Sequence, residues 1–105
     1  MKVYKNLYTS EILKKKKEKI LRNMEKGKYS FDLFVLTLNP EDGQHLEIYP
    51  ACMFYQSVIK HEDLILVGIA SGYEDALFLL EDIVDEVYEQ TKDVDLRAYI
   101  LDHNC

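Results

Sequence analysis

Leu64-Ile65-Leu66-Val67-Gly68-Ile69-Ala70, followed directly by Ser71-Gly72-Tyr73-Glu74, is the stretch that decides the fold. An unbroken apolar run of this length reads as a strand covered on both faces. Ser71 with Glu74 three residues later has the form of a helix capping box. From Gly72 to Thr91 the apolar residues Ala76, Leu77, Leu80, Ile83, Val84, Val87 and Tyr88 recur at helical spacing and predict a long amphipathic helix. Leu96 to Leu101 reads as a second strand. Asp63 to Asp102 is therefore expected to form one β-α-β unit, its strands parallel and joined by a right-handed crossover.

Working outward, Tyr29 to Leu38 is apolar at both parities, with Phe31, Leu33 and Val35 on one side and Phe34, Leu36 and Leu38 on the other. It is expected as a second interior strand. Asn39-Pro40-Glu41-Asp42-Gly43 supplies a turn, with Pro40 presetting φ and Gly43 free to be left-handed. Gln44 to Tyr49 alternates and suits an edge strand. Pro50 to Lys60 reads as a short helix, with a strand as the alternative. Ser10 to Lys26 reads as a helix capped by Ser10 and stopped by Gly27. Its apolar stripe is thin: Leu13, Ile20, Leu21 and Met24, with Lys17 in line laying its methylenes on the core. Residues 1–9 form an arm or an edge strand, and 102–105 a flexible tail.

These pieces predict one α+β domain over residues 1–105, with topology α-β-β-(α)-β-α-β. The expected mixed sheet has four strands in the order 2-1-3-4, packed with two long helices and one short one. If both long helices cover one sheet face, the other needs the short helix or a second copy of the chain. Two-fold dimers are the commonest oligomers, so a homodimer is expected.

Charge is strongly segregated. Residues 1–28 hold ten Lys/Arg against three Glu, a net +7, and residues 29–105 hold three against sixteen Asp/Glu, a net −13. The resulting −6 opposes nucleic acid and anionic membranes, and neither is an expected partner. No apolar run reaches the 18 or so residues of a membrane helix. The N-terminus lacks the apolar core of a secretory signal. Cys52 and Cys105 fit no metal or redox spacing, which suits reduced thiols and a cytoplasmic location.

Two places carry candidate chemistry. Ser71, Gly72 and Tyr73 lie where a strand ends and a helix begins, a position whose free N–H groups receive phosphate or carboxylate. A capping box would consume those donors, and the glycine pattern of a nucleotide loop is missing. Lys14, Lys15, Lys16 and Lys17, with Lys19 and Arg22, are the second candidate, as a contact for a partner. Four consecutive lysines fan around a helix rather than forming a stripe, and no aromatic residues interleave them as nucleic-acid binding would require. They match the carboxylates of the acidic helix, of the same or a neighbouring chain; Asp85, Glu86 and Glu89 there oppose the helix dipole.

No catalytic, metal or cofactor set is legible. Glu81 with Asp85, and Asp82 with Glu86, are i,i+4 carboxylate pairs without the further oxygens a divalent cation needs. His45, His61 and His103 are scattered. His103 with Cys105 falls short of a zinc site. Cys52 reads as a buried small hydrophobe.

Val67 to Ala76, with Ile83, Glu86-Val87-Tyr88, Arg97-Ala98-Tyr99-Ile100 and the opening Tyr4-Lys5-Asn6-Leu7-Tyr8, resembles a group of short uncharacterised bacterial proteins of the Gram-positive type. The resemblance implies a small autonomous domain and brings no activity, cofactor or catalytic residue. The leading functional expectation is a non-enzymatic interaction or regulatory protein acting as a homodimer. The alternative is a small-ligand or anion-binding domain, open to catalysis, built on the turn at Ser71-Gly72.

Overall fold

The structure is a computed structural model that describes residues 2–28, 30, 32–39, 46–55 and 64–103. Its class is the expected one: α+β, with a single four-stranded mixed sheet. The strands are β1 (Lys2–Thr9), β2 (Leu33–Leu38), β3 (Glu47–Pro50) and β4 (Ile65–Ser71), in the order β1-β4-β2-β3. β2 runs antiparallel to both β3 and β4, while β1 runs parallel to β4. The two strands apolar on both sides, β2 and β4, occupy the interior as their composition demands. Short, half-exposed β3 lies at one edge, as its alternation predicts. The turn expected at residues 39–43 lies, beyond Asn39, outside the described residues.

The strand beside β4 corrects one sequence expectation. Leu96 to Leu101 is not a strand; it belongs to helix α3 (Leu96–His103), and β1 takes the sheet position assigned to it. Leu96, Ala98 and Ile100 satisfy a period of two, but Leu96 and Ile100 also satisfy i,i+4, and those two are the buried pair. A run of six residues does not separate the two periods. The Asp95 carboxylate settles it locally by accepting the Ala98 N–H at 3.0 Å, the bond that starts a helix. Asp102 and His103 close this helix, and the His103 ring stacks on Tyr99 at 4.1 Å. Residues 1–9 accordingly supply an edge strand from Lys2 onward. Tyr4 and Leu7 sit at opposite parities and are buried on opposite faces.

The helices take both faces. α2 (Tyr73–Thr91) sinks Ala76, Leu79, Ile83 and Val87 into a core with Tyr4, Leu36, Leu38, Ile65 and Val67, joined by Leu96 and Ile100 of α3. The opposite face, built on Leu7, Leu33, Val35, Leu66 and Ile69, is covered by Leu13, Ile20, Leu21 and Met24. These four come from a 3-10 segment (Glu11–Lys16) and helix α1 (Lys17–Glu25), separate geometries within the span expected as one helix. Gly27 follows with φ of 78°, as the helix stop requires. Ala51, on a 3-10 turn (Ala51–Tyr55), completes the layer. The remainder of the short helix expected over residues 50–60 lies outside the described residues. The long helices thus cover different faces, and the uncovered face that motivated the homodimer is filled within the chain.

Gly68 marks the tightest approach in the sheet. A Cβ there would meet Leu79 Cδ2 at 3.1 Å and the Tyr8 carbonyl oxygen at 3.3 Å. β1 bulges beside it, since its register on β4 shifts between Val3 and Tyr8. No helix among the described residues is long and apolar enough to cross a membrane.

Candidate functional site

β1 and β4 are parallel, so their carboxyl ends, Thr9 and Ser71, fall at one end of the sheet. β2 is antiparallel to β4 and therefore begins there, with Leu33 paired to Ser71. The chain leaving β1 and the chain entering β2 converge on that end. Between them lies a groove of about 410 Å³. Carboxyl ends of parallel strands are a recurrent place for ligands, and this volume lies in the range of small-molecule sites.

Each wall has a clear origin. The 3-10 segment and α1 contribute Ile12, Leu13, Lys16, Lys19, Ile20 and Asn23, the segment before β2 contributes Lys28, Ser30 and Asp32, and β2 itself opens with Leu33. The floor at the end of β4 is Ser71. Among the described residues, three ammonium groups thus share the groove with a single carboxylate. The apolar residues form a second lining against which a non-polar body packs. Electrostatically the groove favours an anion, although the chain as a whole is acidic.

The turn at Ser71 is organised differently from the sequence expectation. No capping box forms between Ser71 and Glu74; Gly72 is the N-cap, with φ of 89° and ψ of 161°, and makes no side-chain cap bond. A side chain at this φ is strained, which explains the glycine. The Asp75 carboxylate instead reaches back to accept the Ser71 N–H at 2.8 Å. The Gly72 N–H donates to the Asp32 carbonyl at 2.7 Å. The backbone donors of Ser71 and Gly72 are therefore used inside the chain. The Ser71 hydroxyl faces Asp32 Oδ2 at 3.3 Å, which ties the floor to the β2 wall.

Of the predicted ligand residues, Ser71 lines the groove and Gly72 and Tyr73 do not. Tyr73 is exposed and packs edge-on against Phe34, their ring centroids 6.0 Å apart. Of the four lysines, Lys16 enters the groove wall; Lys14 pairs with Glu11 at 2.7 Å, and Lys15 and Lys17 lie elsewhere on the segment. The fold thus unites one member of each candidate set. It adds Asn23, Lys28, Ser30 and Asp32, which sequence reasoning missed. A usable signal existed: a strand antiparallel to β4 must start where β4 ends, which puts the polar residues before Leu33 beside Ser71.

The remaining candidates do not gather. Cys52 is half-buried with a free thiol; His45, His61 and Cys105 lie outside the described residues. Among the described residues, no group of three or more His, Cys, Asp or Glu side chains is placed to hold a metal ion. Glu86 accepts a hydrogen bond from the Tyr8 hydroxyl. Burial first, and then this bond, push the Tyr8 phenol above its ordinary pKa. Burial also raises Tyr4 and Tyr99 nearby. This cluster is on the α2 side of the sheet, away from the groove.

Fold and groove together define a small α+β domain with a cationic, partly apolar cleft at the end of a parallel strand pair. No protein-family model, no curated protein and no solved structure matches the chain significantly.

Proposed function

We propose that this chain is a small binding domain whose ligand is an organic anion held in the groove between α1 and the end of β4. The observation that carries the reading is the convergence of Lys16, Lys19 and Lys28 with Ser71 on one cleft. The lysines supply charge, Asn23, Ser30 and Ser71 supply hydrogen bonds, and Ile12, Leu13, Ile20 and Leu33 supply a dry wall. A phosphate or carboxylate joined to a compact apolar body satisfies all three. Asp32 serves as an internal counter-ion that orients Ser71 and weakens binding of a bare anion. This form of the small-ligand reading uses side-chain donors in place of the turn's N–H groups. The reading is one of binding: among the described residues the lining holds three lysines, one carboxylate, amide and hydroxyl groups, and no histidine.

Amide shift mapping with three probes tests it: phenyl phosphate, inorganic phosphate and phenol. Phenyl phosphate is expected to bind most tightly, with shifts concentrated at residues 12–23, 28–33 and 71. The triple variant Lys16→Ala, Lys19→Ala, Lys28→Ala is expected to abolish them. Absence of saturable shifts, or shifts spread evenly over Lys14, Lys15 and Arg22 as well, refutes the reading.

A further inference from the structure

We propose that the acidic outer face of α2 docks onto the lysine-rich 3-10 and α1 surface of a second copy of this chain, giving head-to-tail assembly. α2 holds seven Asp/Glu and no Lys or Arg. Glu74, Glu81 and Asp85 recur on its exposed side with Leu77, Phe78 and Tyr88. Phe78 is 66% exposed and Tyr88 51% exposed, so aromatic surface is set among carboxylates. The acids continue into the last turns of the helix, where the dipole favours cations. On the other surface Lys14, Lys15, Lys16, Lys19 and Arg22 are exposed beside Ile12, itself 67% exposed.

These two surfaces are complementary in charge and in apolar content, yet they cannot meet within one molecule. α2 packs on one face of the sheet and α1 on the other. The partner each requires is presented by a neighbouring copy in the same orientation. Such a contact joins two different patches, so it is heterologous and propagates into a ring or an open chain. The aromatic residues supply the desolvated anchor, and the surrounding charges set orientation.

Salt decides how this is seen. Each copy carries −6 overall and repels its neighbour at long range. In about 0.1 M salt the Debye length is about 10 Å, shorter than the molecule's 24 Å minimum extent. Net repulsion is then muted while touching faces still attract. In about 1 M salt the length falls to about 3 Å and the attraction fades.

Sedimentation velocity over a wide protein concentration range provides the test. The wild type is expected to show concentration-dependent species larger than a monomer at about 0.1 M salt, reduced at about 1 M. Two charge-reversed variants are used: Glu81→Lys with Asp85→Lys, and Lys15→Glu with Arg22→Glu. All four positions are exposed and none lines the groove, so phenyl phosphate binding by each monomeric variant reports on its folding; Ile12, Lys16 and Lys19 belong to both groove and docking surface, so assembly is measured without the ligand. Each variant alone is expected to be monomeric. Mixed, the native basic surface of one variant meets the native acidic surface of the other, and the two reversed surfaces are again opposite in charge, so species larger than a monomer return. A wild type that stays monomeric throughout, variants that assemble like the wild type, or a mixture that remains monomeric would each overturn the proposal.

Discussion

The two faces of the sheet are closed by helices of unequal grip. α2 buries four side chains completely or nearly so, and α3 adds Leu96 and Ile100. The 3-10 segment and α1 bury none; Leu13, Ile20, Leu21 and Met24 reach only half-buried positions. The α2 face is the more densely packed of the two. The loosely packed one retains a groove because its helix touches the sheet along a narrow stripe and leaves lysine stems at the margin. Incomplete packing is what leaves the groove open.

The largest expected effect separates the faces by stability. Ile83, fully buried under α2, should cost about 3 kcal/mol on replacement by alanine, since a cavity remains beneath a rigid helix. Leu21→Ala on α1 should cost about 1 kcal/mol, because a half-exposed side chain has less to lose. Urea unfolding of the two variants checks this, and equal losses would erase the contrast. Gly68→Ala falls between them at about 2 kcal/mol, since the new methyl presses on Leu79 and on the β1 backbone.

A smaller effect concerns the start of α2. Asp75→Ala removes the acceptor of the Ser71 N–H and should cost about 1 kcal/mol, whereas Glu74→Ala should be near neutral. The reverse ranking would restore the capping box that the sequence suggests.

The two faces also differ in alkali. Tyr4, Tyr8 and Tyr99 cluster on the α2 side with phenol pKa values raised above 10.0, chiefly by burial. A raised folded-state value means the folded protein keeps a proton that the unfolded chain loses. The associated stability is present below pH 10 and is lost as pH climbs through the folded values. Unfolding midpoints should therefore fall above pH 10, and less steeply in Tyr8→Phe. Tyrosinate absorbance should show a fraction of the tyrosines ionising only on unfolding.

Much of the scaffold was legible. The apolar runs of β2 and β4 placed them inside the sheet, and the stripe Leu13, Ile20, Leu21, Met24 was read in full with its weakness. What misled was ambiguity of period: Leu96-Arg97-Ala98-Tyr99-Ile100-Leu101 fits helix and strand equally, and the deciding bond from Ala98 to Asp95 is local and side-chain dependent. That single exchange hid the role of β1 as the parallel partner of β4. The groove was half legible for the same reason. Ser71 and Lys16 stood out individually, but their meeting depends on β1 delivering the lysine segment to the carboxyl end of β4. Lys28, Ser30 and Asp32 carry no motif and acquire meaning only from strand direction.

Native-state hydrogen exchange, followed residue by residue with and without phenyl phosphate, tests the link between loose packing and binding most directly. Strong protection is expected in α2, weak protection in α1 and the preceding 3-10 segment, and a ligand-induced rise confined to that weaker side. Equal protection of α1 and α2 in the free protein, or a rise in α2 rather than α1, would contradict it.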